Sequence, residues 1–239
     1  MTASILQTGH NEVGTSVSTL TVTPTGLTAG STVYLATELN RNNTVTSVVG
    51  SVNGAYTATG ADADDGASRR LSSWRRENIA SGTETITITY NSATSSPGVS
   101  WVEVGGVKTS SALDVAAAGK SQASTAGTDA QTSNAATNSN QPALIVSMSA
   151  GVFGNGPAAG TGYTNQALVD WGVTGPGGQI RIESKRITAT GSQTATFTQT
   201  VAVGHLTVMA IFDELVVLPP QPIMPWPKQT FVTETIIQF

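Results

Sequence analysis

The sequence predicts an all-β protein, an antiparallel two-sheet sandwich that is jelly-roll-like and carries an extended C-terminal arm. Three observations lead to this prediction. Thr, Val and Ile alternate along short runs, Gly and Asn mark turns between the runs, and stretches rich in Leu, Glu and Lys are few. With 239 residues and no cysteine, the chain is long enough to bury a core that needs no disulfide bonds.

Strand-like runs follow one another through the N-terminal half. In Thr83–Asn91, the side chains of Ile86, Ile88 and Tyr90 share one face and threonines occupy the other, which is the clearest period-two alternation in the chain. The pair Asn53–Gly54 is typical of a hairpin turn. The strands and hairpins predicted in this half are Ser18–Pro24, Ser31–Leu39, 44–60, 68–78, Thr83–Asn91 and 98–107.

The C-terminal half continues with strands of the same kind, predicted at 178–188, 192–201 and 205–215. Ala143–Phe153 is apolar on both faces, as expected of a strand that is covered from two sides. Ser111–Gly119 is too short for an independent helix and is predicted to be a turn or edge segment. Ala118–Gln141 is small and polar, so it is either a solvated edge strand with a long loop or a surface connection.

We assign the predicted strands to one β-sandwich domain, residues 1–213, followed by a Pro-rich arm and terminal strand, residues 214–239. Neither half of the chain has a full set of strongly apolar strands, which favours a single domain. Two smaller immunoglobulin-like sandwiches, divided near Gly119–Gln141, are the alternative.

Charge and hydropathy exclude several classes of function. Lys and Arg number 11 against 15 Asp and Glu, and a net charge of −4 does not suit nucleic-acid binding, which depends on basic side chains at the phosphates. The N-terminal sequence lacks the basic and apolar parts of a signal peptide, and no apolar run reaches the ~18 residues of a membrane span. We therefore expect synthesis and folding in a cytoplasm, with no membrane and no nucleic acid as a partner.

No sequence motif indicates catalysis or a bound cofactor. The chain lacks the Gly-x-Ser-x-Gly elbow, a phosphate-binding glycine loop and the His-Glu-x-x-His pattern, and its only histidines are His10 and His205. His205 lies in a predicted strand, where we expect it to point outward or to be a hydrogen-bonded residue of the sheet. We predict no enzyme activity, no catalytic residue and no cofactor.

One acidic stretch is a candidate for metal binding. Asp62, Asp64 and Asp65 carry carboxylates of the kind that Ca²⁺ prefers, but the later ligands and the closing Glu of an EF-hand loop are missing. The alternative is a solvated hairpin loop that is partly neutralised by Arg69 and Arg70. We favour that alternative and predict no metal site.

Four arginines surround Trp74 in the stretch RRLSSWRRE. Arg and Trp are enriched at the energetic centres of protein interfaces, so Trp74 and Arg75 are predicted to face a partner subunit, with the other arginines on the same exposed or subunit-facing surface. The alternative is a ligand platform, on which Trp stacks against a sugar ring and Arg contacts acidic groups.

The C-terminal sequence LPPQPIMPWPKQTFVTETIIQF has five prolines within nine residues. Proline fixes φ and lacks an amide hydrogen, so this part is predicted to be a stiff arm, roughly 28 Å long at about 3.1 Å per residue. The residues after Lys228 alternate like a strand, which either folds onto its own sandwich or adds to a neighbouring subunit; the rigid spacer favours the neighbour. The residues predicted to bind a partner are Pro219, Pro220, Ile223, Met224, Trp226, Phe231, Val232, Ile236, Ile237 and Phe239, together with Trp74 and Arg75.

Four stretches carry a resemblance to known proteins: VGTSVSTLTVTPTGLTAGSTVYLATEL, TVTSVVGSVNGAYTATG, RRLSSWRRENIASGTETITITY and VSWVEVGGV. They resemble the Thr- and Gly-rich β-sandwich modules of tailed-bacteriophage virion proteins, such as capsid decoration (cement) proteins and head fibres. The resemblance covers most of residues 13–213 and is one of composition and strand order. It implies a non-enzymatic virion protein made in the host cytoplasm, a homo-oligomer such as a trimer, and terminal arms that bind neighbouring subunits or the major capsid protein. The alternative is a carbohydrate- or receptor-binding module of a tail fibre or adhesin, with Trp74, Trp101 or Trp171 as its stacking platform.

Overall fold

The computed structural model describes residues 2–122, 131–132, 134–151, 158–170, 179–197 and 204–217. Of the predicted C-terminal arm, residues 214–239, the structure describes 214–217; the ten partner-binding residues assigned to the arm lie outside the described part of the chain, as does Trp171. The described residues form β-strands and no helix, which confirms the predicted all-β class. The strands are β1 (Ser4–Glu12), β2 (Ser16–Val22), β3 (Thr32–Asn40), β4 (Val45–Gly50), β5 (Gly54–Ala55), β6 (Thr57–Asp64), β7 (Arg69–Arg76), β8 (Ile86–Ser95), β9 (Gly98–Gly105), β10 (Leu113–Gln122), β11 (Gln131–Thr132), β12 (Ala136–Asn138), β13 (Ala143–Gly151), β14 (Thr164–Asp170), β15 (Gln179–Ile187), β16 (Gly191–Gln193), β17 (Thr196–Phe197) and β18 (Gly204–Asp213).

These strands form antiparallel sheets. Sheet I has the order β1-β9-β3-β7-β6, sheet II has the order β10-β18-β13-β15-β14, and sheet III has the order β2-β8-β4-β5. Two short ladders pair β11 with β17 and β12 with β16, and isolated bridges join Leu27 to Gly82 and Val107 to Glu214. No helix capable of spanning a lipid bilayer occurs in the part of the chain that the structure describes.

Sheet I is covered on both faces, because side chains alternate between two apolar clusters. Val33 and Leu35 of β3 belong to a cluster shared with sheet III, whereas Tyr34 between them belongs to a cluster shared with sheet II. In β9, Trp101 and Val102 divide between the two clusters in the same way. The alternating side chains of sheet I therefore pack into two cores, one on each face, whereas a sheet with one solvent-exposed face would pack into a single core.

Sheet II also buries both of its faces at β13, which is buried over its whole length and confirms the prediction for the apolar run that begins at Ala143. One face meets sheet I, and there the rings of Tyr34 and Phe212 lie 5.6 Å apart in an edge-to-face arrangement. On the other face, Ile145 and Ile211 join a third cluster with Phe197 of the short strand β17.

The structure differs from the sequence predictions at several elements. β1 was not among the predicted strands, and the hairpin near Asn53 turns at 51–53, with Gly54 (φ 72°) opening β5 opposite Gly50. Ser111–Gly119, which was predicted to be a turn or edge segment, contributes most of β10, an edge strand of sheet II, and this confirms the edge alternative. The jelly-roll-like sandwich arrangement and the domain boundary at residue 213 stay predictions.

Candidate functional site

Trp74 and Arg75 are neighbours in β7 and therefore point to opposite faces of sheet I. The Trp74 indole is partly buried against the cluster that sheets I and III share. The Arg75 side chain is partly buried on the other face, where its Nε donates to Oε1 of Glu77 at 2.9 Å. The structure does not bring these two predicted partner-binding residues onto one surface, so a platform that combines the ring with this guanidinium is not formed.

Arg69 was predicted to lie on an exposed or subunit-facing surface, and this prediction is wrong. Its side chain is buried, with Nη1 donating to Oε1 of Glu38 at 3.1 Å and Nε lying 3.6 Å from Oδ2 of Asp65. Burial raises the pKa of Glu38 to about 7, although the charge of Arg69 and its hydrogen bond act in the opposite direction. A long basic side chain is buried here because two carboxylates compensate its charge.

In the acidic stretch, Asp62 and Asp64 belong to β6 and Asp65 follows it; Asp62 is exposed, whereas the carboxylates of Asp64 and Asp65 are already engaged. Asp64 lies 3.0 Å from Nε of Arg41 and 3.5 Å from Nη2 of Arg70, and its Oδ1 accepts the backbone N–H of Gly66 at 2.7 Å. The hydrogen bond from that backbone N–H is the chief reason why the pKa of Asp64 is lowered, and the two arginines add to it. Asp65 accepts three further backbone N–H groups, from Ala67 to Arg69. In the described ranges no group of three or more His, Asp or Glu residues is placed to hold a metal ion.

His205 is neither outward-facing nor hydrogen-bonded, so the sequence interpretation of this residue is wrong. It is 2% exposed, and neither ring nitrogen has a hydrogen-bond partner among the residues that the structure describes. Burial, together with the charge of Arg69, lowers its pKa to about 3. Gly151 pairs with His205 across β13 and β18, and a Cβ on Gly151 would collide with the imidazole. Because Gly151 has no side chain, the His205 ring can pack against the sheet at this position. His10, by contrast, is exposed on β1.

Trp101, proposed from the sequence as one of three stacking platforms, is wrong in that role because it is only 5% exposed. Its indole covers Gly9 of the neighbouring strand, where a Cβ would stand 2.6 Å from the ring. The side chain is part of the core between sheets I and III. Of the three tryptophans, the described structure leaves Trp74 alone with a partly exposed ring.

An apolar groove of about 380 Å³ lies beside β1. We call it the β1 groove; residues that line it include Leu6, Gly30, Gly105, Gly106, Val107 and Leu215. Among the described residues that line it, none is charged or aromatic. It lies where the C-terminal segment leaves β18, because Leu215 follows that strand.

The side chain of Leu6 forms one wall of the β1 groove as a consequence of a β-bulge. The register of β1 against β9 shifts between Ile5 and Gln7, so Leu6 is the extra residue. Its side chain covers Gly105, where a Cβ would lie 2.7 Å from Cδ1 of Leu6, and it remains 47% exposed. A large apolar side chain is thus presented to solvent by the bulge.

The buried carboxylate of Glu103 holds together the two chain segments that flank the β1 groove. Its Oε2 accepts a hydrogen bond from Nε2 of Gln7 in β1, and its Oε1 accepts one from the backbone N–H of Thr28 and one from Oγ of Ser31. All three donor–acceptor distances are 2.6 Å. Because charge-assisted hydrogen bonds of this length are strong, the groove is preformed.

A second buried carboxylate, Glu183, lies on the outer face of sheet II. It accepts hydrogen bonds from Oγ of Ser147 at 2.9 Å and from the backbone N–H of Gly160 at 2.8 Å. Burial raises its pKa to about 7 in spite of these two hydrogen bonds. The sequence showed Glu183 only as an alternating polar residue of a strand, and nothing in that pattern indicated its burial.

The β1 groove escaped sequence analysis because no part of it forms a motif. The available signals were the apolar pair Ile5–Leu6 near the start of the chain and the pair Gly105–Gly106 at the end of a predicted strand. Comparison of the chain with protein-family models, with curated proteins and with solved structures finds no match.

Proposed function

We propose that this chain is a structural virion protein, a capsid decoration or cement protein that binds neighbouring subunits through its terminal segments. In this proposal the body is a two-sheet, jelly-roll-like sandwich, and residues 214–239 form an arm that ends in an adhesive strand. The partners are further copies of the chain and the major capsid protein. The resemblance to bacteriophage virion modules supports the setting, and the β1 groove supports the mode of assembly.

The single observation that carries the proposal is the β1 groove, an uncharged apolar surface at the point where the C-terminal segment begins. Leu215 lines the groove, and beyond it Val216 and Val217 are 56% and 68% exposed. Residues 218–239 contain one Lys and one Glu among many apolar side chains, so their chemistry matches that of the groove. Exposed apolar surface of this kind marks sites of protein–protein interaction.

The occupant that we propose is the terminal run, residues 229–239, of a second copy. Proline-rich segments are recognised by grooves lined with aromatic side chains, and none of the residues that line this groove is aromatic. The terminal run offers apolar side chains such as Phe231 and Ile237 without proline. These side chains suit the β1 groove, because Leu6 gives it an apolar wall and the glycines that line it leave room for large side chains.

The stiffness expected of the proline-rich stretch favours binding between copies. An extended stretch of nine residues spans roughly 28 Å, so it carries the terminal run away from the groove at its own root. The terminal run then lies closer to the groove of a neighbouring copy than to the groove of its own subunit. Each subunit therefore provides one arm and binds another in its groove. Such reciprocal exchange produces closed rings or dimers, in keeping with a homo-oligomer.

The test measures assembly by sedimentation velocity over a range of concentrations. The variants are a chain that ends at Val217, which lacks the arm, and Leu6→Glu, which places a charge in the groove. Val52→Glu is the matched control, because Val52 is 60% exposed on the hairpin of sheet III. We expect the full chain and the control to assemble, and each of the two variants to weaken assembly roughly tenfold or more.

Mixing the two defective variants identifies the receptor. The shortened chain keeps its groove and Leu6→Glu keeps its arm, so the mixture should form pairs that neither protein forms alone. Assembly of the shortened chain to the same extent as the full chain, or a mixture that stays monomeric, would contradict the proposal. Electron micrographs of the full chain mixed with candidate capsid shells test the virion setting separately.

A further inference from the structure

A polar cleft of about 320 Å³ opens at the end of β7, next to the β1 groove, with which it shares Thr109. A ligand in this cleft is independent of the proposed function. Arg75, Arg76 and Asn78 line it from β7 and the residues that follow, and Ser110 and Ser111 line it from the connection between β9 and β10. We call it the Arg76 cleft. Its volume is near the lower end of the roughly 300–1,000 Å³ typical of small-molecule sites.

The cleft carries a positive charge that no carboxylate neutralises within the described residues. The guanidinium of Arg75 is compensated by Glu77, whose Oε1 accepts from Nε at 2.9 Å. Arg76 forms no such ion pair in that part of the chain; Nη1 lies 3.4 Å from the carbonyl oxygen of Ala55, and Nε is buried without a hydrogen-bond partner. A buried guanidinium N–H group without a hydrogen-bond partner is unusual, because buried polar groups are normally hydrogen-bonded.

The backbone around the cleft is held in a strained form. Asn78 has a φ of 53° and Ser111 a φ of 50°, both in the left-handed region that side chains other than Asn and Asp rarely adopt. Glu77 ties the two segments together, because its Oε1 also accepts the backbone N–H of Leu113 at 3.2 Å. Backbone strain that the surrounding structure maintains is concentrated at binding sites, and here Ser111 carries such strain, whereas Asn78 is of a residue type that is enriched in this conformation.

We propose that the Arg76 cleft binds an acidic saccharide, a sugar ring that carries one carboxylate or sulfate group. The Arg76 guanidinium donates to the oxyanion group, since its planar array of N–H donors matches carboxylate and sulfate oxygens. The hydroxyl groups of Ser110 and Ser111 and the amide of Asn78 both donate and accept, which suits the hydroxyl groups of a sugar. Trp74 lies on the same face of sheet I as Arg76, two residues away in β7, but is not among the described residues that line the cleft, so recognition depends on hydrogen bonds and charge, without stacking on that ring.

The test is isothermal titration calorimetry on the full chain with four probes: glucuronate, glucose 6-sulfate, glucose and acetate. We expect at least one of the two acidic sugars to bind, and glucose and acetate to bind roughly tenfold more weakly, since each lacks one half of the recognition. Glucuronate and glucose 6-sulfate together distinguish carboxylate from sulfate as the preferred group. Arg76→Gln should weaken the preferred acidic sugar roughly tenfold or more.

Arg41→Gln is the matched control, because Arg41 is exposed and pairs with Asp64 outside the cleft. Ser110→Ala provides a milder variant that keeps the charge and should weaken the acidic sugar while leaving acetate unchanged. Circular dichroism confirms that each variant is folded. The proposal is overturned if neither acidic sugar binds, if Arg76→Gln binds as well as Arg41→Gln does, or if acetate equals the acidic sugars, which would indicate a site for simple anions.

Discussion

Protonation of His205 should destabilise this fold, and His205→Leu should remove that effect. The imidazole is buried, has no hydrogen-bond partner and lies within the electrostatic reach of Arg69. These conditions lower its pKa from 6.5 to about 3 in the folded protein. In the unfolded chain the side chain regains the ordinary value, so the unfolded state takes up the proton first as the pH falls.

The size of the effect follows from the difference between the two pKa values. The stability that neutral His205 contributes is complete above pH 6.5 and is lost progressively towards pH 3. At pH 4.5, two units below the unfolded value, the loss is about 3 kcal/mol, because each pKa unit corresponds to about 1.4 kcal/mol. A loss of this size is a large fraction of the stability of a typical domain.

Urea unfolding at pH 7 and pH 4.5 measures the effect, with the wild-type chain and His205→Leu compared at each pH. Glu38 and Glu183 also titrate in this range, but they do so in both proteins and cancel in the comparison. His10→Asn is the control, because that histidine is exposed on β1. The wild-type chain and the control should lose about 3 kcal/mol more than His205→Leu between the two pH values. Equal losses in all three proteins would show that His205 is accessible to protons in the folded state and would refute the reasoning.

Three further predictions concern buried groups. Arg69→Met should lower the free energy of unfolding by about 3–5 kcal/mol, measured with urea at pH 8, because Glu38 loses its partner. The double variant with Glu38→Gln should recover much of that loss. An equal loss in the single and the double variant would contradict a buried ion pair. Glu183 has a folded pKa of about 7 against 4.5 in the unfolded chain, so its contribution is complete below pH 4.5 and is lost as the pH rises through 7. Glu183→Gln should therefore flatten the pH dependence of stability between pH 4.5 and 8, and an unchanged slope would count against that pKa. Phe212→Ala should lower the free energy of unfolding by about 3–5 kcal/mol in thermal or urea unfolding, because it removes the buried contact with Tyr34 and leaves a cavity. A loss below about 1 kcal/mol would mean that the core closes around the cavity.

Period-two alternation predicted much of the fold, because most strands of sheets I and III show it directly. Ile86, Ile88 and Tyr90 all face the core between these sheets, as their spacing requires. The sequence analysis missed β1 because its sequence, SILQTGHNE, alternates poorly around the bulge at Leu6. The strand also contains Gly9, whose lack of a side chain leaves room for the Trp101 ring. The arrangement of sheets could not be predicted, because pairing between distant strands is decided by packing that no local pattern records.

The candidate sites were predicted less well, since they depend on which side chains distant segments bring together. Arg69 looked like a surface residue, because only the fold places Glu38 and Asp65 beside it. Trp74 and Arg75 were grouped by proximity in sequence, although adjacent residues of a strand face opposite ways. The Arg76 cleft combines β7 with a connection more than thirty residues further along the chain, so no sequence motif could have predicted the cleft.

Because sheet I is covered from both sides, its broad surfaces are unavailable to other molecules, and contact with the outside is confined to its perimeter. The β1 groove lies along one margin of the sheet, and the Arg76 cleft lies at the tip of an inner strand. The exposed side chains at these positions, such as Leu6, can change without disturbing either core, whereas changes within β3 or β9 affect two cores at once. Variation between related proteins should therefore accumulate around the perimeter, and new binding partners should be acquired there.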